Sequence, residues 1–259
     1  MTGKAWQRQM REQIEQDERT DGDAYWESYD LDIGHAEVRP IDANTAREVI
    51  EQYEWLGKMA AVNWYCFGIF FGKALGGVAV YGPEYCENLG RWDRFGYTGK
   101  IILLSRGACA HWAHPHSASK LTRGSMRLLP ARFEVVTATV DSRAGEVGTI
   151  YQAAGFDYVG SIAPPDITEI TINGVTYSTR ALRARYGTRS PKKLGEMFGP
   201  ENVVAEKRPA KERYFAFRGG KVARKHNRAA IAHLIKPYPR RDAEAVPAQV
   251  YQGRLDLAA

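Results

Sequence analysis

Alternating strand-like and helix-like segments constrain the fold of this chain more than any other feature of its sequence. Between residues 37 and 161 the hydrophobic pattern predicts the order strand, helix, hairpin, strand, helix, strand, helix, strand. An alternation of this kind is typical of a mixed sheet covered by helices on both faces. We therefore predict an α/β (α+β) fold with a mixed central sheet flanked by helices.

Apolar residues spaced three and four positions apart predict helices at residues 42–53, 117–129 and 145–154. Asp42 is suited to cap the first of these helices, and Gly155 is suited to end the third. Runs of β-branched and aromatic residues predict strands at 37–40, 63–71, 74–81, 101–110, 133–140, 156–161 and 213–218.

The sequence after Pro164-Pro165 carries weaker signals. An Asn173-Gly174 pair predicts a hairpin turn within residues 167–180, because this dipeptide suits a tight turn between two strands. Residues 190–208 contain Pro and Gly, and we predict a loop there.

Charge is distributed unevenly along the sequence. Residues 1–57 contain 14 Asp and Glu against 6 Lys and Arg, whereas residues 180–241 contain 4 acidic against 18 basic residues. We predict an acidic N-terminal extension at 1–36, one domain at 37–220, and a basic, largely disordered tail at 221–259. The basic tract favours a polyanionic partner, because phosphate contacts release condensed counterions. A solvated tail that binds nothing is the alternative.

Nothing in the sequence resembles a membrane span or a secretory signal. No stretch approaches the roughly 18 apolar residues of a membrane helix, and the first ten residues contain no apolar core. The three cysteines, Cys66, Cys86 and Cys109, are odd in number and form no CxxC motif. We expect a cytoplasmic protein with reduced thiols and no membrane partner.

The densest group of chemically useful residues lies between Asp141 and Phe156. Asp141 directly follows a predicted buried strand, and ligands of open α/β sheets bind beyond such strand ends. Tyr151 lies on the predicted helix that follows. A carboxylate and a phenol so placed are suited to act as general base and general acid around one cleft. A turn-forming Asp141 and a core Tyr151 are the alternatives.

The segment Ile150–Phe156 (IYQAAGF) resembles the last helix and strand of the GNAT acyltransferase core. An ordered set of further motifs is similar to the Mom-type phage proteins. These motifs, which lie within residues 37–218, are Tyr53–Lys58, Leu104–Gly107, Ser117–Leu121, Asp141–Ala153 and Tyr158–Gly160. The resemblance implies a GNAT-like fold, a location in the host bacterial cytoplasm, and a transferase that converts adenine N6 in DNA to a carbamoylmethyl derivative. That modification protects phage DNA from restriction.

The resemblance also implies roles, position by position. Arg106 resembles the family's arginine on the central strand, and Ser119 resembles the serine of its Ser-Ala-Ser segment. Asp141 and Tyr151 resemble the acidic and phenolic site residues, and in GNAT proteins a tyrosine on this helix often protonates the leaving group. At the first motif Glu54 stands where the family has a histidine, so either Glu54 is a substitute base or the role of that histidine is not filled at this position.

The identity of the donor is left open by the segment that precedes the 117–129 helix. CoA-binding GNAT proteins hold the pyrophosphate with a glycine-rich loop and a helix N-terminus. Here the segment contains no glycine, and Pro115 lacks an amide donor. Ser117, Ser119 and Lys120 remain to hold an anion. Acetyl-CoA and an aminoacyl-tRNA are both candidate donors, since a glycyl group supplies two carbons and the nitrogen of a carbamoylmethyl product.

Two other groups are candidates for binding. His111, His114 and His116 offer three imidazoles, which are ligands for iron or zinc. No carboxylate or cysteine lies at a fixed short spacing from them, so we expect incidental loop histidines. Trp55 is a candidate for stacking on an extruded base, with a core position as the alternative.

Four basic residues near the C-terminus, Lys221, Arg224, Lys225 and Arg228, are expected to contact phosphates without reading sequence. Double-stranded DNA is the expected partner, and tRNA is a second one. Two other functions stay open: an acetyltransferase that uses acetyl-CoA on a protein or small amine, and a GNAT-derived nucleic-acid-binding module without catalysis. The missing glycine loop argues against the acetyltransferase.

Overall fold

The computed structural model describes residues 4–21, 25–84, 92–161, 166–177 and 179–240. The chain divides into two compact units. Among the described residues, the first unit runs up to Gly160 and resumes at Glu212, and the second unit is Ser161–Lys211. The predicted single domain at 37–220 therefore differs from the observed division, because the second unit is inserted in the chain between two strands of the first.

The described residues contain ten strands and seven α-helices. The strands are β1 Glu37–Ile41, β2 Tyr65–Phe71, β3 Ala74–Gly82, β4 Ile101–Cys109, β5 Val135–Val140, β6 Asp157–Gly160, β7 Asp166–Ile172, β8 Val175–Tyr177, β9 Val203–Pro209 and β10 Glu212–Phe217. The helices are α1 Trp6–Thr20, α2 Ala43–Tyr53, α3 Ser117–Leu128, α4 Thr149–Ala154, α5 Thr179–Tyr186, α6 Pro191–Phe198 and α7 Lys221–Ala230. Within this part of the chain, no helix has the length and apolar character to cross a membrane.

The sheet of the first unit has seven strands in the order β1-β2-β3-β4-β5-β10-β6. Its neighbouring strands are antiparallel except for β4 and β5, which run parallel. The predicted class, a mixed central sheet flanked by helices, is confirmed. Because β4 and β5 share one direction, their carboxyl ends lie at the same edge of the sheet.

Side chains alternate along each strand, and the two faces of the sheet carry separate cores. On β3, Val78 and Val80 pack with α2, whereas Ala79 and Tyr81 belong to the core that contains α3 and α4. Gly124 allows α3 to approach the sheet edge closely, since an added Cβ would lie 2.7 Å from a Val38 methyl. Each core holds one buried free thiol, from Cys66 or Cys109, while Cys86 lies outside the described residues.

Local capping signals act as predicted. Asp42 precedes α2, and its side chain accepts hydrogen bonds from the amides of Asn44 and Thr45. Gly155 ends α4 in the left-handed conformation, with φ of 83°. These contacts confirm the predicted start of one helix and the predicted end of another.

The second unit has a three-stranded sheet in the order β8-β7-β9. Asn173 and Gly174 form the turn between β7 and β8 with φ of 50° and 80°, which confirms the predicted hairpin. The predicted loop at residues 190–208 is wrong, because α6 and β9 lie there. Ser190 caps α6 and Pro191 occupies its first turn, a helix start that the glycine and proline content obscured.

The basic tail predicted at residues 221–259 is ordered in its first part. Helix α7 is anchored by Asn227, which is buried and donates to Glu134 Oε2 over 2.9 Å. The Asn227 carbonyl accepts a hydrogen bond from Tyr97 Oη over 2.6 Å. The prediction of disorder is therefore wrong for α7. The helix is held in place by a polar residue, so its sequence lacks the periodic apolar residues that would have predicted it. Residues 241–259 lie outside the described residues.

Candidate active site

The parallel strands β4 and β5 separate toward their carboxyl ends. They pair only where Ile101–Leu104 faces Val135–Ala138. Past this point, within the described chain, β4 continues beside β3 and β5 continues beside β10. Ligands of such sheets bind where neighbouring strands separate, so we take the ends of β4 and β5 as the candidate cleft.

A bulge in β4 lies where the two strands separate. Val80 pairs with Arg106 and Tyr81 pairs with Leu104, so Ser105 is the extra residue. Ser105 Oγ donates to the Val80 carbonyl over 3.0 Å and holds the bulge in place. Bulges redirect the neighbouring side chains, and Arg106 is the first residue beyond this one.

Arg106 and Glu54 form an ion pair beside the cleft. Glu54 directly follows α2, and its Oε2 lies 3.5 Å from Arg106 Nε. Arg106 also donates to the carbonyls of Lys58 and Ser105, each over 2.8 Å. The Arg106 side chain is 25% exposed and that of Glu54 12%, so the pair is largely shielded from water. The sequence singled out both residues without showing that they are partners.

Tyr151 projects from α4 into the core of the same unit. Its ring centroid lies 5.4 Å from that of Phe156 and 5.5 Å from that of Tyr214. Tyr214 in turn donates to the Val147 carbonyl over 2.7 Å, which fixes the ring behind Tyr151. No group in the described chain hydrogen-bonds to Tyr151 Oη. Packing therefore holds the ring in place, and the hydroxyl can interact with a ligand.

The electrostatic surroundings of Tyr151 keep its phenol protonated. Burial raises the pKa of Tyr151 well above its usual value, and the negative charges of Glu146 and Glu54 raise the pKa further. The positive charge of Arg106 acts in the opposite direction and lowers the pKa. Tyr151 is therefore a proton donor at neutral pH, and it senses both members of the Glu54–Arg106 pair.

Asp141 has a local structural role. Its carboxylate caps the short 3-10 turn Ser142–Ala144 and accepts hydrogen bonds from the backbone N, Nε and Nη2 of Arg143, each over 3.2 Å. Asp141 is 7% exposed. The turn-forming alternative is thus confirmed, and the role of Asp141 as a general base stays a prediction.

The start of α3 contains a buried hydroxyl suited to a ligand. Ser117 is 1% exposed, and its Oγ has no hydrogen-bond partner within the described residues. The Ser117 amide donates to the His114 carbonyl over 2.8 Å, and the Lys120 amide donates to the His116 carbonyl over 3.0 Å. A helix start with a buried hydroxyl still fits an anion, although it offers fewer amides than a glycine-rich loop.

Ser119 and Lys120 face a different part of the surface. With His116, Arg123 and Arg127 they line a basic groove of about 500 Å³ along the outer side of α3. Ser119 Oγ donates to the His116 carbonyl over 3.0 Å, and Lys120 Nζ donates to the Ile33 carbonyl. In the described chain no contact joins either side chain to Arg106 or Tyr151, so their proposed roles at the cleft stay predictions.

Trp55 is packed against the N-terminal helix α1. Its ring meets Trp6 edge to face at 5.0 Å, and it shares a small core with Met10 and Ala144. Trp55 is 9% exposed. The packing against α1 favours the core alternative, and the role of Trp55 in stacking on a base stays a prediction.

Gln7 of α1 is a site-supporting residue that sequence reasoning missed. Its Nε2 donates to the Tyr53 carbonyl, and its Oε1 accepts a hydrogen bond from the Trp55 amide over 3.0 Å. These two backbone groups flank Glu54. Helix α1 therefore fixes the backbone on both sides of the carboxylate that pairs with Arg106. A single glutamine 46 residues away in sequence carries no periodic signal that would reveal this contact.

His111, His114 and His116 do not form one cluster. His111 is buried, with Nε2 3.3 Å from Glu18 Oε2 and its ring centroid 4.5 Å from that of Trp26. Burial lowers the pKa of His111. His114 and His116 lie together, with ring centroids 5.3 Å apart. Within the described residues no group of three His, Cys, Asp or Glu is arranged to hold a metal ion.

The four basic residues predicted to bind nucleic acid lie on α7. Lys221, Arg224, Lys225 and Arg228 are exposed, and their spacing of three and four places them along one face of the helix. Arg228 is held by Asp157 through two hydrogen bonds of 2.7 and 2.9 Å. The structure thus groups these residues as a basic stripe, and their partner stays a prediction.

Comparisons with solved structures give only low overall similarity. A GNAT family acetyltransferase from Elizabethkingia anophelis with acetyl-CoA bound matches with 10% identity over 71% of this chain and 98% of that one, at a TM-score of 0.35. A probable acetyltransferase from Staphylococcus epidermidis matches with 11% identity over 71% and 99% of the two chains, at a TM-score of 0.38. TM-scores of this size support no inference about function.

Sequence comparison is more specific. Methylcarbamoylase mom of Escherichia phage Mu is 29% identical over an aligned stretch of 136 residues, and the match covers 48% of this chain and 53% of that protein. The match therefore spans about half the length of that relative. A model of the Mom protein family matches residues 35–240, a range that contains the cleft, Glu54, Arg106 and Tyr151. The chain belongs to the Mom protein family.

Proposed function

We propose that this protein is a DNA-modifying transferase that hypermodifies adenine N6 with a carbamoylmethyl-type group and so protects DNA from restriction. Family membership and the similarity to a methylcarbamoylase support a transferase. The observation that carries the proposal is the Glu54–Arg106 ion pair where β4 and β5 separate, together with Tyr151, whose pKa both of these charges shift. This group combines a base, a positive charge and a proton donor.

The acceptor in this proposal is the exocyclic amine of an adenine. Because N6 is paired within the duplex, the base leaves the stack before it reaches the cleft. Glu54 accepts the proton that N6 loses as its new bond forms. We assign this step to Glu54, which stands at the motif position where the family resemblance implies a base, while Asp141 caps the turn at 142–144. Arg106 stabilises negative charge beside the reacting atoms.

Tyr151 has the complementary task in this mechanism. Its raised pKa keeps the phenol protonated, and its hydroxyl is free to donate to the group that departs from the donor. Phe156 and Tyr214 hold the ring in one position, so the proton is presented in a fixed direction. The expected consequence is loss of turnover in Tyr151→Phe with folding and DNA binding retained.

The donor binds at the start of α3 in this proposal. A glycyl donor would supply both carbons and the nitrogen: N6 displaces the tRNA hydroxyl from the acyl carbon, and the resulting N6-glycyl group, an isomer of carbamoylmethyl, must then rearrange to it. Acetyl-CoA carries no such nitrogen and would give N6-acetyladenine. Acetyl-CoA and aminoacyl-tRNA both carry phosphates, and the buried Ser117 Oγ at the helix start suits one of them. Binding of CoA and of glycyl-tRNA to the wild type and to Ser117→Ala, measured by calorimetry, distinguishes the two donors without requiring turnover.

The basic stripe on α7 is assigned to phosphates of double-stranded DNA. Neutralising Lys221, Arg224 and Lys225 together is expected to weaken DNA binding and to reduce its salt dependence. Substitution is preferable to truncation, because α7 is tied to the rest of the unit through Asn227. An unchanged salt dependence would remove these residues from the interface.

Mass spectrometry of nucleosides from cells that express the protein tests the proposed function. The expected result is a new deoxyadenosine species whose added mass corresponds to one carbamoylmethyl group. Unmodified deoxyadenosine together with acetylated protein or amine would favour an ordinary acetyltransferase. Unmodified nucleosides with DNA binding intact would favour a binding module without catalysis.

A further inference from the structure

The second unit carries a concentrated basic surface on a pair of helices. Residues 179–193 contain six Lys and Arg and no Asp or Glu. Helix α5 and the first turn of α6 lie in this stretch and are joined by the four residues 187–190, while α6 continues to Phe198 and carries Glu196. Five of its basic residues are exposed: Arg183, Arg185, Arg189, Lys192 and Lys193.

A small core fixes both helices so that these cations face solvent. Leu182 of α5 and Leu194 of α6 are completely buried in one apolar cluster. Tyr186 and Phe198 meet edge to face with ring centroids 5.0 Å apart and tie the two helices together. Gly187 adopts φ of 67° and allows the chain to turn between them.

The cations of this surface are not held in ion pairs within the described part of the unit, although Glu196 lies one turn from Lys192 on α6. Over the described residues, no carboxylate forms an ion pair with any of the five exposed basic side chains. Arg228 of the first unit differs, since Asp157 holds its guanidinium at 2.7 Å. A cluster of cations without ion-pair partners on rigid helices is suited to a polyanion, because binding costs little backbone ordering.

We propose that this two-helix surface binds the phosphodiester backbone of double-stranded DNA, an inference that rests on the proposed function and adds a second DNA contact to it. Two short helices joined by a four-residue turn with glycine have the connectivity of DNA-binding helix pairs. Lysine and arginine contacts with phosphates position a protein on a duplex without reading its sequence.

The aromatic residues of this unit favour a duplex over a single strand. Proteins that hold single strands stack bases on exposed aromatic rings. Here Tyr177, Tyr186 and Phe198 pack against the core of the unit. The large exposed apolar side chains described in this unit are Met197 and Val204, neither of which is aromatic. The surface therefore offers charge and no stacking platform.

The test compares two triple variants with the same loss of charge. Arg183→Gln/Lys192→Gln/Lys193→Gln removes three cations from the surface. The control, Lys73→Gln/Arg94→Gln/Arg132→Gln, removes three exposed cations from the first unit. Binding to a duplex of mixed sequence is measured by fluorescence anisotropy between low and physiological salt, after circular dichroism has shown that both variants are folded.

The surface variant is expected to bind the duplex more weakly and to lower the slope of log K against log salt by roughly 2 to 3, about one per lost phosphate contact. The control variant is expected to leave the slope near that of wild type. An unchanged slope in the surface variant, an equal fall in the control, or preferential binding of the single strand of the same sequence would each overturn the proposal.

Nucleoside analysis separates this inference from the proposed function. If the slope falls in the surface variant but cells expressing the wild type contain only ordinary deoxyadenosine, the DNA-binding surface is supported and the proposed modification is not. If deoxyadenosine is modified but the slope is unchanged in the surface variant, the modification stands and this surface is not its DNA contact.

Discussion

Replacing Gln7 with alanine should loosen the backbone around Glu54. The substitution removes two hydrogen bonds, one from Gln7 Nε2 to the Tyr53 carbonyl and one from the Trp55 amide to Gln7 Oε1. Each bond is partly buried and contributes about 1 kcal/mol, so the segment should lose about 2 kcal/mol of local stability. A loss of that size corresponds to an equilibrium constant for opening of the segment that is about 30-fold larger, and to amide exchange that is about 30-fold faster.

Hydrogen exchange at the Trp55 amide measures this change directly, because that amide donates to the side chain that is removed. Gln13→Ala is the matched control. Gln13 lies on the same helix and makes one exposed contact, to Asp17 Oδ1 over 2.7 Å, so both variants share the change in helix propensity. Gln13→Ala should leave Trp55 exchange unchanged.

The same comparison extends to turnover. If α1 positions Glu54, Gln7→Ala should lower the rate of modification while DNA affinity stays near that of wild type, and Gln13→Ala should change neither. Equal exchange rates at Trp55 in the two variants would refute the reasoning, because the two hydrogen bonds would then contribute nothing to the order of this segment.

Three further predictions follow from packing and charge. Gly148→Ala should lower the free energy of unfolding by at least about 2 kcal/mol more than Gly155→Ala does, as measured by denaturant titration. Both glycines have positive φ, but only at Gly148 would an added Cβ lie 2.6 Å from the Tyr214 ring. Equal losses in the two variants would contradict the predicted clash. Arg228→Ala should change thermal stability by less than about 1 kcal/mol despite its two hydrogen bonds to Asp157, because the pair is exposed; a larger loss would mean that the pair is structural. The free energy of unfolding should fall as pH rises above about 10. Burial raises the pKa of several tyrosines in the folded chain, so the unfolded chain loses phenolic protons that the folded chain keeps. A melting temperature that stays constant between pH 9 and about 11 would contradict this prediction.

Local signals in the sequence were sufficient for much of the fold. Asp42 marks the start of one helix and Gly155 the end of another through contacts within a few residues. The turn at Asn173-Gly174 follows from the preference of these two residues for positive φ. Hydrophobic alternation located the strands of the main sheet, because burial on two faces imposes a period of two.

Contacts between polar groups that are distant in sequence were not predictable in this way. Gln7 reaches the backbone beside Glu54, and Asn227 anchors α7 against Glu134, yet neither pairing leaves a periodic pattern. The Glu54–Arg106 pair depends on a bulge that shifts the register of β4. The hydrophobic pattern of one sequence does not specify where such a bulge occurs.

The most direct test of the central claim is nucleoside mass spectrometry of DNA from cells that express wild type, Tyr151→Phe or Tyr65→Phe. Tyr65→Phe removes the same hydroxyl from β2, where the ring packs beside Phe133 before the start of β5. We expect carbamoylmethyl-type deoxyadenosine with wild type and Tyr65→Phe, and its loss with a folded Tyr151→Phe. Equal modification in all three would contradict the assignment of the cleft proton donor, and ordinary deoxyadenosine with wild type would contradict the function itself.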